Sequence, residues 1–348
     1  MGMTMIEKIL ARHSGRSGVR AGDLVVCSVS KAIQLDIGYA TGVDQIPEKI
    51  DNPDIVAVIL DHTVPAPTIN DANAHMKARE FVKKFNIKRF FDIGNHGICH
   101  QVILENGLAL PGEILTCTDS HTCASGAFNC AARGVGPVEM LQIICTGKTW
   151  FKVPPTIRFV LTGEKPPNVF GKDIFLHIAG TYGSAEGFCV EFAGDGVRSL
   201  TIDDRATIAT MCAEISAEFA LFEADEVIVR YLKGITNEPF EPVTSDEDAE
   251  FADVRYIDLS SLKPYVSKPD YIPHNTVEID RLGERVKIDQ AFIGSCANGK
   301  LEDLRIAAEI VKGRKVAPGV RFIVTPASQN VYKEAVRRGY VSTLLEAG

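Results

Sequence analysis

Short apolar runs alternate with amphipathic stretches along most of this chain, and polar residues follow each apolar run. The runs IVAVIL and KRFF have the length and composition of buried strands, whereas IEKILARHSG and INDANAHMKAREFVKKFNI carry apolar residues at helical spacing. An Asn or Asp at the start of the second stretch is expected to cap that helix. Such alternation is typical of α/β folds with mainly parallel sheets, where ligands bind beyond the carboxyl ends of the strands.

Two proline-marked breaks divide the chain, whose 348 residues exceed the usual size of one domain. One is Val153-Pro154-Pro155, and the other is PYVSKPDYIP at 264–273, which reads as an extended linker. We therefore predict three units, 1–153, 154–265 and 266–348. The second unit carries the predicted strands TIRFVLT and FCVEFAG and a helical stretch DRATIATMCAEISAEFALF, and the third carries KIDQAFIGSC, the helix LEDLRIAAEIVKGRK and the strand RFIVTPAS.

Composition excludes several classes of protein. Hydrophobic residues make up 45% and charged residues 24%, as in ordinary globular chains, and the formal net charge of -8 argues against a nucleic-acid partner. No apolar run is long enough to cross a membrane, and the charged N-terminus is unlike a signal peptide, so a cytoplasmic location is expected. Nine cysteines without a CxxC pair do not form a disulfide framework.

Four polar clusters follow apolar runs. The first is Asp61-His62, in which the carboxylate could orient the imidazole and make it a general acid, although an isolated pair of this kind is more often a capped turn. The second is GNHGICHQ, which contains His96 and His100. Both lie where the carboxyl ends of strands are expected.

The third cluster, CTDSHTC, holds Asp119, Ser120 and His121. Its cysteine spacing matches no common structural zinc site, and three consecutive residues in extended chain cannot form a Ser-His-Asp relay. Asp119 and His121 would share one face of that extended chain and could converge with the other histidines on one substrate. A zinc hydrolase that uses His100, Asp119 and His121 is kept as a minor alternative.

The fourth cluster is GSCANG, where small residues around Cys296 would allow close backbone approach. Taken alone, that cysteine could be a nucleophile, a ligand or inert. Glu214 lies among small and apolar residues of a predicted helix and is either a stray polar residue or a pocket carboxylate. The glycines of GVGPVEM lack the order of a nucleotide-binding loop and indicate a helix start instead.

Together the clusters resemble the aconitase superfamily. DHTVPAPT, GICHQVILENGLALPGEILTCTDSHT and IGSCANGKLEDLRIAAEIVKGRKV are similar to motifs of its 3-isopropylmalate dehydratase and homoaconitase large-subunit group, in the same order. The resemblance implies three aconitase-type α/β/α domains, with a swivelling fourth domain on a small subunit in a heterodimer or heterotetramer. It also implies a hydro-lyase that moves water on a 2-hydroxy di- or tricarboxylate, as in leucine biosynthesis.

The resemblance also implies roles for single residues. Asp61 and His62 correspond to the pair that protonates the departing hydroxyl, and Glu214 to a carboxylate that bonds the metal-bound hydroxyl. Cys296 corresponds to the first of three thiolate ligands of a 4Fe-4S cluster, and Asn298 lies in the same cluster-binding loop. The residues that correspond to groups around the open iron are His100, Asp119, Ser120 and His121. The base and the substrate-binding arginines would come largely from the small subunit.

Departures from the family pattern favour a second hypothesis, a non-catalytic scaffold without the cluster. Leu35, Thr210 and Ala297 stand where the family usually has polar or longer groups, and the sequence stops at Gly348, before the CxxC that would supply the other two thiolates. We interpret that ending as truncation within the third domain, and the cluster could be absent from this chain. Homoaconitase and dimethylmalate or citramalate dehydratase remain alternative activities.

Overall fold

The computed structural model describes residues 2–40 and 46–348, which form strands and helices in alternation. The strands are β1 (Leu24–Ser28), β2 (Lys31–Leu35), β3 (Val56–Ile59), β4 (Arg89–Phe91), β5 (Ile114–Cys117), β6 (Ala131–Gly134), β7 (Lys148–Lys152), β8 (Thr156–Thr162), β9 (Cys189–Ala193), β10 (Phe219–Phe222), β11 (Asp253–Asp258), β12 (Tyr265–Ser267), β13 (Thr276–Glu278), β14 (Gln290–Ile293) and β15 (Arg321–Val324). The helices are α1 (Met5–Ser14), α2 (Asp36–Ala40), α3 (Ile69–Phe85), α4 (Cys99–Glu105), α5 (Pro137–Thr146), α6 (Gly171–Tyr182), α7 (Ile202–Met211), α8 (Glu226–Lys233), α9 (Ser295–Asn298), α10 (Leu301–Val311), α11 (Gln329–Arg337) and α12 (Tyr340–Ala347).

The first sheet has five parallel strands in the order β4-β3-β2-β5-β6. Its central strands β2, β3 and β5 are buried along their whole length, as expected when helices cover both faces of a parallel sheet. The predicted α/β class is therefore confirmed. The cap of α3 differs from the prediction, because the side chain of Thr68, and not an Asn or Asp, accepts the bond from the backbone N–H of Asp71 at 3.2 Å.

The second sheet has four parallel strands in the order β10-β9-β8-β11. The prediction of one helix through DRATIATMCAEISAEFALF was wrong in its second half. The α-helix ends at Met211, a 3₁₀ turn spans Cys212–Ile215, Ser216 takes a left-handed backbone with φ 61°, and the apolar FALF forms β10. Four successive apolar residues fit a buried strand as well as a buried helix, so periodicity alone could not separate the two.

The segment predicted to be an extended linker is one arm of a hairpin. Strands β12 and β13 pair antiparallel, and the hairpin packs on α6 through bonds from Tyr265 N to Asp173 Oδ1 at 2.8 Å and from Thr276 Oγ1 to Leu176 O at 2.6 Å. The predicted boundary between residues 265 and 266 thus falls inside β12. The proposed three-domain division remains a prediction.

The remaining strands form two smaller sheets. Strands β14 and β15 pair in parallel, with α10, α11 and α12 packed together beside them around a small apolar core. Strands β1 and β7 form an antiparallel ribbon. Among the described residues, no helix is long and apolar enough to span a bilayer. As predicted, GVGPVEM starts a helix, with Gly136 as the N-cap of α5.

Candidate functional site

Three neighbouring parallel strands of the first sheet end at the same edge, and an aspartate follows each of them. Asp36 follows β2 directly, while Asp61 and Asp119 each come two residues after the ends of β3 and β5. Because the strands are in parallel register, the three carboxylates meet at one edge. This is the position where ligands bind in sheets of this kind.

Asp36 is fully buried and holds the turn after β3. Its carboxylate accepts bonds from the backbone N–H groups of His62 at 3.2 Å and Thr63 at 3.0 Å and from the hydroxyl of Thr63 at 3.0 Å. Burial would raise the pKa of Asp36, but these bonds outweigh burial and lower it. Asp36 was not predicted to be a site residue, although a carboxylate directly after the strand KAIQL was the available signal.

The Asp61-His62 pair is built differently from the expected dyad. Asp61 Oδ2 accepts a bond of 2.8 Å from the backbone N–H of Cys99, the first residue of α4, and lies 3.7 Å from His62 Nδ1, which is beyond hydrogen-bond range. Burial raises the pKa of Asp61. The ring of His62 is instead surrounded by carboxylates, with Nε2 at 3.4 Å from Asp119 and Nδ1 at 3.8 Å from Asp36. The hydrogen bond to Asp119 raises the pKa of His62 against the effect of burial.

Asp119 is the centre of the site. Its Oδ1 accepts a bond of 2.7 Å from His100 Nε2 and one of 2.8 Å from the backbone N–H of His121, and its Oδ2 faces His62. Burial would raise the pKa of Asp119, but the bonds with His100, His121 and His62 hold it far below its usual range. The carboxylate therefore stays ionised and organises three imidazoles.

The residues after Asp119 are not extended, as the sequence analysis assumed. Asp119 itself has extended backbone, but it caps a 3₁₀ helix that spans Ser120–Phe128. As the cap, the Asp119 carboxylate accepts a hydrogen bond from the backbone N–H of His121, while the ring of His121 faces Glu214. The two side chains meet through helix capping and not because alternate residues of a strand share a face.

His121 links the two sheets. Its Nε2 lies 2.9 Å from Glu214 Oε1, and its Nδ1 lies 3.2 Å from Ser120 Oγ. The hydrogen bond to Asp119 raises the pKa of His121, burial opposes the rise, and the bond to Glu214 adds to it. Glu214 is thus bonded to His121, and it is presented by the 3₁₀ turn after α7 and not by the helix that the sequence predicted.

Cys296 and Asn298 lie in the short helix α9, after β14. Cys296 is half-buried, and burial, together with the negative charge of Asp119, raises the pKa of its thiol. Asn298 donates from Nδ2 to Asp303 Oδ1 at 3.1 Å, and its Oδ1 is buried without a hydrogen-bond partner among the described residues. Asn298 thus ties α9 to α10, and one of its polar atoms remains available for a ligand.

Backbone contacts tie the loop that carries Cys296 to the loop that carries His100. Ala327 donates to Gly299 O at 2.7 Å and accepts from Ile98 N at 2.8 Å. Gly97 approaches Ser328 so closely that a Cβ on Gly97 would lie 2.6 Å from Ser328 Cβ. The contact between these two segments could not be predicted from local sequence patterns, because 230 residues separate Gly97 from Ala327.

Two basic residues near the site were also missed. Lys300 is buried and donates to Thr207 Oγ1 at 3.2 Å and to Ala297 O, so it supports the Cys296 loop. Arg133 lines a cavity of about 420 Å³ beside Ser120 and lies 3.4 Å from Glu218. A lysine that follows a small-residue loop and an arginine near the end of a strand carry no sequence signal for such positions.

The cysteine thiols near the site indicate whether the described residues could hold an iron–sulfur cluster. A cluster with one open iron needs three protein thiolates, and Cys296 is the half-buried thiol on which the charge of Asp119 acts. Cys123, nearby, is fully buried, donates its S–H to Ala209 O at 3.1 Å, and has a pKa raised to about 12 by burial. The described residues therefore offer one ligand and do not by themselves hold a cluster.

The chain is similar to known proteins along most of its length. The chain matches the Aconitase family (aconitate hydratase) over residues 39–285 and 282–348. It is 54% identical over 348 residues to the 3-isopropylmalate dehydratase large subunit of Mycolicibacterium smegmatis, covering 100% of this chain and 82% of that protein. It is 42% identical over 352 residues to the protein of the same name from Caldicellulosiruptor saccharolyticus, covering 99% of this chain and 82% of that protein.

Similarity to a solved structure concerns the fold alone. The holo-form of Thermococcus kodakaraensis aconitase X aligns with a TM-score of 0.50 at 13% identity, over 92% of this chain and 77% of that one. The family match covers nearly the whole chain, and the relative from Mycolicibacterium smegmatis is similar along all of it. The chain therefore belongs to the aconitase family.

Proposed function

We propose that this chain is the large subunit of a hydro-lyase that removes and returns water on a 2-hydroxy dicarboxylate, with 3-isopropylmalate as the substrate. The names of its relatives support the substrate, since the proteins at 54% and 42% identity are both 3-isopropylmalate dehydratase large subunits. One observation carries the reaction type. The carboxylate of Asp119, at the carboxyl edge of a parallel sheet, contacts His62, His100 and His121.

The proposed proton donor is His62. Its raised pKa, due first to the bond with Asp119, keeps the ring protonated closer to neutral pH, where a general acid is most effective. Its side chain is 36% exposed, so a substrate hydroxyl can reach it. Hydroxide is a poor leaving group, and protonation as the carbon–oxygen bond breaks would release water instead.

His100 and His121 are proposed to position and polarise the substrate hydroxyl. His100 is buried and fixed by its 2.7 Å bond to Asp119, whereas His121 is held between Glu214 and Ser120. Ser120 and the neighbouring cavity that includes Arg133 would then receive a carboxylate of the substrate. These roles use protein groups alone.

The proposal also includes a small subunit and a 4Fe-4S cluster. The relatives are named large subunits, which supports a partner chain, and we propose that the partner supplies the base that removes the carbon-bound proton. The family generally uses a 4Fe-4S cluster, toward which Cys296 offers one thiolate and Asn298 one unpaired oxygen. All nine cysteines are free, which supports a reducing, cytoplasmic location.

The non-catalytic scaffold hypothesis has less support. A scaffold has no need for an ionised, mostly buried Asp119 or for histidines held among carboxylates, since unused buried charges cost stability. The cluster of charges is complete in this chain. Homoaconitase and dimethylmalate or citramalate dehydratase activities would use the same groups and are alternatives within the proposed reaction class.

The proposal can be tested by anaerobic assay of a form of the chain that also carries the other two cluster-binding cysteines, with its partner subunit, iron and sulfide. We expect dehydration of 3-isopropylmalate, measured by the ultraviolet absorbance of the unsaturated product. His62→Gln should lower the rate by about 100-fold or more, as expected for loss of a general acid. His177→Gln is the matched control, because His177 bonds Tyr265 Oη at 3.0 Å away from the cluster, and it should stay within about twofold. Wild-type activity in His62→Gln, or no dehydration by the same form with His62 intact, would contradict the proposal.

A further inference from the structure

Two members of the histidine cluster also belong to a group of possible metal-binding atoms that includes a cysteine. One ligand atom each from Cys99, His100 and Asp119 lies within 4.8 Å of the other two. Cys99 and His100 are the first two residues of α4, and Asp119 reaches them from the loop after β5. A thiol, an imidazole and a carboxylate at such spacing form the donor set that Zn²⁺ prefers.

The surroundings of Cys99 add further donors. Its thiol is fully buried and hydrogen-bonds with the thiol of Cys117, the last residue of β5. Its backbone N–H donates to Asp61 at 2.8 Å. The buried position beside Cys99 is therefore lined by sulfur and oxygen atoms on more than one side.

His100 is already oriented toward Asp119. The residue is 2% exposed, and its Nε2 bonds Asp119 Oδ1 at 2.7 Å. Nε2 is thus the nitrogen on the Asp119 side of the ring, and a cation held by both residues would bind Nε2 and replace the hydrogen bond between them.

The set differs from the zinc site considered in the sequence analysis. His121 does not join it, because its Nε2 is bonded to Glu214 and its Nδ1 to Ser120. Cys99 takes the third position instead. It also differs from the proposed cluster loop, since Cys296 lies on α9, outside the group.

We propose that Cys99, His100 and Asp119 form a binding site for a divalent cation of the zinc class, separate from the Cys296 loop, and that occupancy inhibits the enzyme. Inhibition rests on the proposed function, because the cation would take the Asp119 carboxylate away from His62 and His121. Binding itself rests on the geometry alone. Of the three residues, Asp119 retains 16% side-chain exposure, and it faces the ring of His62, which is 36% exposed.

Cobalt provides the direct test. Co²⁺ titrated into the purified, chelator-treated full chain should bind at one equivalent and give the near-ultraviolet absorption of a thiolate–cobalt bond, and Zn²⁺ should displace it. Cys99→Ser should abolish that absorption. Cys296→Ser and Cys145→Ser are the matched controls, as these two cysteines are the half-buried ones, and both variants should keep it.

Three results would overturn the proposal. They are no sulfur–cobalt absorption in the unmodified chain, its persistence in Cys99→Ser, or its loss in Cys296→Ser. If Cys99→Ser does not fold, judged by near-ultraviolet circular dichroism, X-ray absorption of the zinc-loaded unmodified chain replaces it. That spectrum should show sulfur at about 2.3 Å and nitrogen or oxygen at about 2.0–2.1 Å, and oxygen or nitrogen alone would refute the site. These readouts do not depend on turnover, so they can succeed even if the proposed activity fails.

Discussion

Gly134→Ala should disable the site without removing any of its functional groups. Gly134 ends β6, where the strand passes the loop that carries Asp119 and Ser120. A Cβ built on Gly134 would lie 2.4 Å from the carbonyl oxygen of Asp119 and 3.3 Å from Ser120 Cα. These are backbone atoms, so no side-chain rotation can relieve the overlap.

The size of the effect follows from that distance. Ordinary van der Waals contact begins at 3.4 Å, so the Asp119 backbone or β6 must move by about 1 Å. A displacement of this size at a catalytic group can reduce the rate by about 100-fold, which corresponds to about 2.7 kcal/mol of transition-state stabilisation. Overpacking should also lower the free energy of unfolding by about 1–3 kcal/mol.

Gly136→Ala is the matched control for this experiment. Gly136 lies two residues later, has nothing within 4 Å of its added Cβ, and has an ordinary φ of -69°. Steady-state dehydration should fall by about two orders of magnitude in kcat/KM for Gly134→Ala and stay within about twofold for Gly136→Ala. Equal activities in the two variants, with Gly134→Ala folded, would show that the placement of Asp119 does not limit catalysis.

Three further predictions concern single interactions. Glu214→Gln should lower the pKa of His121, so that its ring loses its proton at lower pH, and should leave the pKa of His62 unchanged. Titration of the histidines by NMR measures both pKa values. An equal change in the pKa of His62 would contradict this prediction. Arg205→Met should lower the free energy of unfolding in urea by about 3 kcal/mol, since it leaves Asp225 without its buried two-bond partner, and a loss under about 1 kcal/mol would refute that account. Asp36→Asn should lower the free energy of unfolding at neutral pH. This loss should become smaller as the pH falls below about 4, because a carboxylate with a lowered pKa stabilises the fold fully only above the pKa that it has in the unfolded chain. A loss of the same size at every pH would show that the charge of Asp36 does not cause the stabilisation.

The sequence was sufficient to predict the edge of the sheet where the site lies. Apolar runs such as VAVI and ILTC contain β-branched residues and predict buried strands, and parallel strands bring the residues that follow them together. That logic singled out Asp61, His62 and Asp119, which the structure brings together at one edge of the sheet. It left out Asp36, whose strand KAIQL contains Lys31 and Gln34 and is therefore less apolar than the other two, although it is equally buried.

Contacts between distant segments could not be predicted in the same way. Whether FALF at 219–222 is helix or strand depends on β9, which supplies its backbone partners. The role of Asp61 depends on the backbone of Cys99, 38 residues later, and not on its neighbour His62. Short-range patterns predict which groups are polar and where strands end, whereas three-dimensional packing decides which partner each group takes.

The three departures from the family pattern can be judged by where their side chains lie. Leu35 is fully buried and its backbone N–H bonds Thr118 Oγ1 at 3.3 Å, while Ala297 is 2% exposed. Thr210 is 1% exposed, and its hydroxyl donates to Ala206 O at 2.6 Å within its own helix. All three are accommodated by the protein interior, and none presents a polar side-chain atom to the histidine cluster.

This placement yields a prediction that separates the enzyme from the scaffold hypothesis. Thr210→Val keeps the shape of the side chain and removes a hydroxyl that bonds only its own helix among the described contacts. It should therefore change kcat/KM by less than about twofold and the free energy of unfolding by about 1 kcal/mol or less. A large loss of activity with unchanged stability would mean that the hydroxyl turns toward the substrate during the reaction. In that case Thr210 would substitute functionally for the usual asparagine, and the departure would be an adaptation of an active enzyme.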